Sequence, residues 1–217
     1  MILYYNSGSC SLASHVALEE TGLEYKAVRV DLSKDQHQTP EYLAKNPWGR
    51  VPALDISGTI LTENVAILHY LADLVPERKL LPKPGTLGRA QATRWMALLS
   101  STVHVAFRPL FRPSRLAETQ KGRRDVTETG IRSLNEVLAK LDAELGDRSF
   151  ILGDDFSLCD AYALVFALWT LRPNARNVVI PTPNLHRIAK TVAQRPAAQA
   201  AMRCEGLEFV GRTSGGT

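Results

Sequence analysis

Residues 1–22 read MILYYNSGSCSLASHVALEETG. Ile2, Leu3, Tyr4 and Tyr5 form an aliphatic and aromatic run of the kind that pairs in a sheet. Asn6, Ser7, Gly8 and Ser9 then supply a polar turn. Past Cys10, the residues Leu12, Ala13, Val16 and Ala17 recur at helical spacing, Glu19 and Glu20 face outward, and Gly22 is a stop signal. The pattern is strand, turn, helix, with a cysteine at the junction. Residues 25–30 (YKAVRV) return to a strand pattern, which closes a β-α-β unit.

Further along, residues 51–56 and 59–61 flank Ser57-Gly58, a pair suited to a tight hairpin turn. Leu68, Leu71, Ala72 and Val75 make another helical stripe, ended by Pro76. The order β-α-β-short helix-β-β-α over about the first 80 residues predicts a small layered α/β unit. Residues 76–88, PERKLLPKPGTLG, hold three Pro and two Gly and read as a linker. No strand pattern follows. Leu134, Leu138, Leu141 and Leu145 form one helical face, and residues 161–171 are apolar nearly all round, as in a buried central helix. Just before them, Ser157 can cap a helix while Asp160 reaches back, the aspartate form of a capping box. Leu185, Ile188, Ala189 and Val192 give a further helix closed by Pro196, and the tail GRTSGGT is expected to fray.

Composition narrows the function classes without choosing one. Of 217 residues, 45% are hydrophobic and 22% charged, as in an ordinary globular chain. The net charge of +4 is too small to argue for nucleic acid, and no basic, aromatic-interleaved motif does so either. Residues 161–171 fall short of the ~20 that a membrane-spanning helix needs. The opening has no basic segment followed by an apolar one, so a secretory signal is not expected. Cys10, Cys159 and Cys204 are odd in number and irregularly spaced, which predicts free thiols in a reducing cytoplasm. No His or Cys cluster has metal-ligand spacing, so no metal is expected.

Three stations could carry chemistry. Cys10, at the mouth of the first helix, would feel the positive end of the helix dipole, which favours thiolate. With Ser11-Leu12-Ala13 following, it lacks the partner of a Cys-x-x-Cys pair, so it can form a mixed disulfide but cannot close its own. A small buried cysteine is the plainer alternative. Val51-Pro52, after Asn46-Pro47-Trp48-Gly49-Arg50, opens a strand; if its peptide is cis, the Val51 backbone can pair with an extended peptide-like ligand. Otherwise it is a turn proline. Leu61-Thr62-Glu63-Asn64 leads into the third helix, where backbone N–H groups suit a carboxylate, Asn64 can add a donor, and Glu63 can hold an amine. Each of these residues could equally be a cap.

In this order the stations resemble the cytosolic glutathione transferases. YYNSGSCSLASHVALEETG is similar to the bacterial beta-class version, and NPWGRVPAL, LTENVAILHYLAD and FSLCDAY match as well. The resemblance implies a thioredoxin-like glutathione-binding domain over residues 1–80. It also implies an all-helical domain over 88–210 that contributes the hydrophobic substrate site. It implies conjugation of glutathione to electrophiles, with disulfide or peroxide reduction through Cys10 as a second activity. Glutathione would be the cosubstrate and the protein a homodimer. Val51 would pair with the cysteinyl unit, Pro52 would be a cis proline, and Glu63 and Asn64 would hold the γ-glutamyl end. Ser11 would join the glutathione contacts, and Lys34 and Arg50 are candidates for the glycyl carboxylate. Relatives often carry Ser where Asn64 stands, so tolerance is expected there.

SSTVHVAFRPLF resembles the segment that sets a histidine over the thiol, which makes His104 the second catalytic candidate beside Cys10. A structural histidine on a long helix is the alternative. His15, about 140° round an ideal helix from Cys10, reads as a packing or positioning residue. Tyr5, Ser9 and Ser11 are alternative hydroxyls, and Tyr5, Phe107 and Trp169 are candidates for the hydrophobic site. Arg108, Arg112, Arg115, Lys121, Arg123 and Arg124 read as a solvated surface with a field that attracts an anionic cosubstrate. The rival class is a non-enzymatic protein-binding module on the same fold.

Overall fold

The computed structural model describes residues 1–209; the expected frayed tail, and residue 210 at the end of the second expected domain, lie outside them. Strand β1 (Ile2–Tyr5) runs into helix α1 (Leu12–Thr21), and β2 (Lys26–Arg29) returns parallel to β1. Helix α2 (Pro40–Lys45) precedes β3 (Ala53–Ile56) and β4 (Thr59–Thr62), and α3 (Asn64–Leu74) closes the unit. The sheet order is β2-β1-β3-β4, with β3 antiparallel to both its neighbours. Gly22 takes the left-handed conformation at φ 69° and ends α1 as its position predicts. Strand β3 starts only at Ala53, two residues later than the apolar run, because Pro52 has no N–H to give the ladder.

The remaining helices are α4 (Leu87–Leu98), α5 (His104–Ala106), α6 (Arg108–Phe111), α7 (Gln120–Leu145), α8 (Leu158–Thr170), α9 (Pro183–Ala193) and α10 (Pro196–Glu205). The long helix expected around His104 is interrupted. A π-helical turn over Leu99–Val103 separates α4 from α5. Such turns re-aim the side chains that follow them and recur at functional sites.

One apolar core runs through both halves, from Leu3, Leu12 and Leu68 to Leu134, Leu164 and Phe166. Helix α8 sits at its centre, with every residue buried except Leu168. Asp160 holds the start of α8 by accepting from Ser157 N at 2.8 Å and from Ile151 N at 2.7 Å. Gly130 of α7 lets α6 approach closely, since a Cβ there would lie 2.2 Å from Pro109 Cβ. That contact sets the position of the segment carrying Arg108 and Arg112. Among the described residues, no helix is long and apolar enough to cross a membrane.

Candidate active site

Between the sheet unit and the helices lies a cleft of about 430 Å³. It brings together Cys10, Arg50, Val51, Pro52, Glu63, Asn64, His104, Phe107 and Trp169. Three of the expected residues stand apart. Ser11 is fully buried and bonds within its own loop, accepting from Asn6 N at 3.1 Å. Lys34 is exposed at the end of a 3-10 turn, Leu32–Lys34, whose Leu32 lines the cleft while Lys34 does not. Tyr5 is buried beneath the loop, its ring against His15 and its hydroxyl 3.9 Å from Cys204 Sγ. A strand residue on the core face cannot also line the cleft.

The protonation of Cys10 differs from the expectation. Its Sγ donates to Val51 O at 3.5 Å. Burial pushes its thiol up to about 12, and the nearby Glu63 carboxylate adds to this. Its own backbone N–H and the Asn64 amide pull the other way without prevailing. Desolvation therefore outweighs the helix end. At neutral pH Cys10 is a thiol, a hydrogen-bond donor rather than a resting nucleophile.

The loop before Cys10 is held from the far end of the chain. Glu205, at the end of α10, accepts from Gly8 N at 2.9 Å and pairs with His15 Nδ1 at 2.9 Å. Its carbonyl accepts from Ser7 Oγ. Gly8 O in turn accepts from Trp169 Nε1 at 2.9 Å and from the Arg172 guanidinium. His15 is thus a positioning residue. The sequence carries no local sign of Glu205 or Arg172, because their partners lie more than 160 residues away.

On the sheet side, the Val51-Pro52 peptide is cis. The preceding loop is clamped through Arg50 O, which accepts from Tyr42 Oη at 2.6 Å and Asn46 Nδ2 at 2.8 Å. Gly49, at φ 55°, lies against His37 O where a Cβ would come within 2.9 Å, so only glycine fits that turn. Glu63 adopts φ 68° and ψ 120° at the start of α3, a costly conformation for a non-glycine residue. No side chain caps that helix, so the first-turn N–H groups face the cleft.

Asn64 lines the cleft and is also bonded beneath it. Nδ2 donates to Cys10 O at 2.9 Å and Oδ1 accepts from Ser14 Oγ at 2.7 Å. It braces α1 against α3 beneath the cysteine.

On the helical side, the π-helical turn delivers His104 into the cleft, its ring edge-on to Trp169 at 4.9 Å. Burial, then the Arg108 and Arg50 charges, lowers its pKa to about 4, so the imidazole is neutral at pH 7. Phe107 and Trp169 are almost wholly buried and present only edges. Sequence reading missed the sorting of the arginines. Arg108, Arg112 and Arg115 line the cleft with Arg50 and Arg172, whereas Lys121, Arg123 and Arg124 do not. The i, i+4, i+7 spacing of the first three, one helical face, was the available signal. Among the described residues, no group of three or more His, Cys, Asp or Glu could hold a metal ion.

Comparison with known proteins places these observations. Residues 1–73 match the family model "Glutathione S-transferase, N-terminal domain", and residues 98–196 match "Glutathione S-transferase, C-terminal domain". The glutathione S-transferase GstA of Escherichia coli O157:H7 is 38% identical over 213 residues, covering 96% of this chain and all of that one. A sphingomonad glutathione S-transferase solved in complex with glutathione superposes with a TM-score of 0.82 at 39% identity, covering 96% of this chain and all of that one. The bacterial beta-class enzyme of Sphingomonas chungbukensis gives a TM-score of 0.83 at 38% identity, with the same coverage.

Proposed function

The chain belongs to the glutathione S-transferase family, with beta-class enzymes among its structural neighbours, and from that premise we propose how its cleft binds and activates glutathione. The supporting observation is the convergence on one cleft of a protonated Cys10, the Val51 backbone, the uncapped start of α3 with Glu63, and a neutral His104.

Glutathione lies extended across the end of the sheet, beside the loop that enters β3. Its cysteinyl amide pairs with the Val51 backbone, its γ-glutamyl carboxylate takes the first-turn N–H groups of α3, and its ammonium meets Glu63. Arg50 takes the glycyl carboxylate. The sulfur then rests beside Cys10. Because Cys10 keeps its proton, it can exchange its bond to Val51 O for one to the incoming sulfur and stabilise the glutathione thiolate. The surrounding arginine charges favour the same anion. Neutral His104 can accept the thiol proton or donate through its other nitrogen, depending on tautomer. The thiolate attacks an electrophile held against Phe107 and Trp169, which gives a thioether.

Cys10 is also placed for a mixed disulfide with glutathione, but its small thiolate fraction makes that the slower activity. The rival reading, a non-enzymatic binding module, is not favoured, since relatives that match almost the whole chain are named as enzymes, glutathione S-transferases among them. The protein would act as a homodimer in the cytoplasm.

Calorimetry with reduced glutathione, alongside conjugation of a chloronitroarene, tests the reading. Micromolar to millimolar binding that Glu63→Gln weakens is expected, and absence of binding would refute it. Intact-mass analysis with oxidised glutathione tests the cysteine separately. A glutathione adduct of unchanged yield on Cys10→Ala would remove Cys10 from the scheme.

A further inference from the structure

The lining of the cleft carries more positive charge than its cosubstrate requires. Five arginines line it (Arg50, Arg108, Arg112, Arg115 and Arg172), against one carboxylate, Glu63. Among the described residues, none of the five has a carboxylate within ion-pairing distance. They also feel one another. Arg115 is depressed by burial and then by Arg112, Arg50 and Arg108, and Arg172 by burial and then by Arg112. Like charges gathered without counter-charge favour an anionic ligand.

Glutathione accounts for part of this. Its ammonium meets Glu63, its γ-glutamyl carboxylate takes backbone N–H groups, and its glycyl carboxylate takes Arg50. Arg172 is engaged in structure, donating to Gly8 O while its guanidinium stacks 4.9 Å from the Phe111 ring and 5.3 Å from Trp169. Arg108 lies by His104, whose proton affinity its charge lowers. That leaves Arg112 and Arg115, both exposed and next to that aromatic wall. A guanidinium pair beside aromatic edges recognises a planar acid, with charge-assisted bonds at one end and edge-to-face contact at the other.

We propose that the second substrate is an aromatic electrophile bearing a carboxylate, its ring against the edges of Phe111 and Trp169 and its acid held by Arg112 and Arg115. This rests on the transferase reading and narrows it from hydrophobic electrophiles in general to anionic ones. With 4-chloro-3-nitrobenzoate as probe, the glutathione sulfur bonds to the ring carbon that bears chlorine. The carbon–chlorine bond breaks, chloride leaves with its electron pair, and the thiol proton passes to solvent.

The test pairs this acid with its neutral isostere, 4-chloro-3-nitrobenzamide. Calorimetry compares the two finished conjugates, S-(4-carboxy-2-nitrophenyl)glutathione and its carboxamide, with free glutathione titrated in parallel. The acid conjugate should bind at least about tenfold tighter at low salt, as two charge-assisted bonds would give, and the advantage should shrink as salt is added. In Arg112→Met/Arg115→Met the acid-to-amide ratio should fall below about threefold; a ratio cancels any general loss from the substitutions. The ratio of kcat/KM for the two chloroarenes should move the same way. Equal affinity of the two conjugates in the wild type, or a ratio unmoved in the double variant, overturns the inference. If free glutathione binds while the ratio is flat, the transferase reading stands and only the substrate class is wrong. If glutathione does not bind, both fall.

Discussion

Replacing Asn64 with alanine separates two accounts of the same residue. In the structure its amide donates to Cys10 O and accepts from Ser14 Oγ, and the residue is only 5% exposed. Alanine removes two hydrogen bonds, each worth about 1 kcal/mol net. The Cys10 carbonyl keeps its bond from Ala13 N at 3.2 Å, so no buried acceptor is orphaned. The Ser14 hydroxyl can turn to a carbonyl of its own helix and adds little. The sum is about 2 kcal/mol. For a chain of this size that corresponds to a fall in Tm of roughly 4–8 °C. Differential scanning calorimetry measures it directly. Asn64→Ser, which keeps a hydroxyl donor, should fall between wild type and alanine. If Asn64 instead reached into the cleft to hold glutathione, the alanine variant would lose glutathione affinity while keeping its Tm. That result, or a Tm within about 2 °C of wild type, would refute the bracing role.

Further outcomes are expected at neighbouring positions. Glu63→Gly should relieve the positive φ and raise stability by about 1 kcal/mol, while weakening glutathione binding about tenfold or more; denaturant titration and calorimetry would read both. Iodoacetamide should modify the exposed Cys204 before Cys10, and Cys10 reactivity should climb with pH without levelling below pH 10. A plateau centred near pH 7 would show that the thiolate is favoured after all. His104 takes up a proton near pH 4 in the fold but near 6.5 in the unfolded chain, where the proton therefore binds first. Its contribution to stability is intact above pH 6.5 and declines as pH falls towards 4; His104→Gln should flatten that part of the profile. Sedimentation equilibrium at micromolar concentration should show a dimer.

Elements set by neighbours in the chain were legible in advance. The strand-turn-helix around Cys10, the hairpin at Ser57-Gly58, the Pro and Gly linker and the Asp160 cap all depend on contacts within a few residues. The cleft's ingredients were legible too, because Cys10, Val51-Pro52 and Glu63 sit at element junctions. Ser11 and Tyr5 stand outside the cleft lining because both are buried, and Lys34 because its exposed turn carries it past the rim; residue type tells what a side chain can bond, whereas packing decides which face it occupies.

Periodicity and turn chemistry thus determined, from the sequence by itself, the two-part architecture, and the resemblance carried by the order of its motifs pointed to the family and to part of the cleft lining. Tertiary structure alone decided that Cys10 keeps its proton, that Asn64 braces α1 against α3, that Glu205 steadies a loop nearly 200 residues away, and that five arginines meet without a carboxylate paired to any of them. Desolvation and charge density are properties of a packed volume. They sum over atoms brought together from the whole chain, and no local stretch of residues encodes that sum.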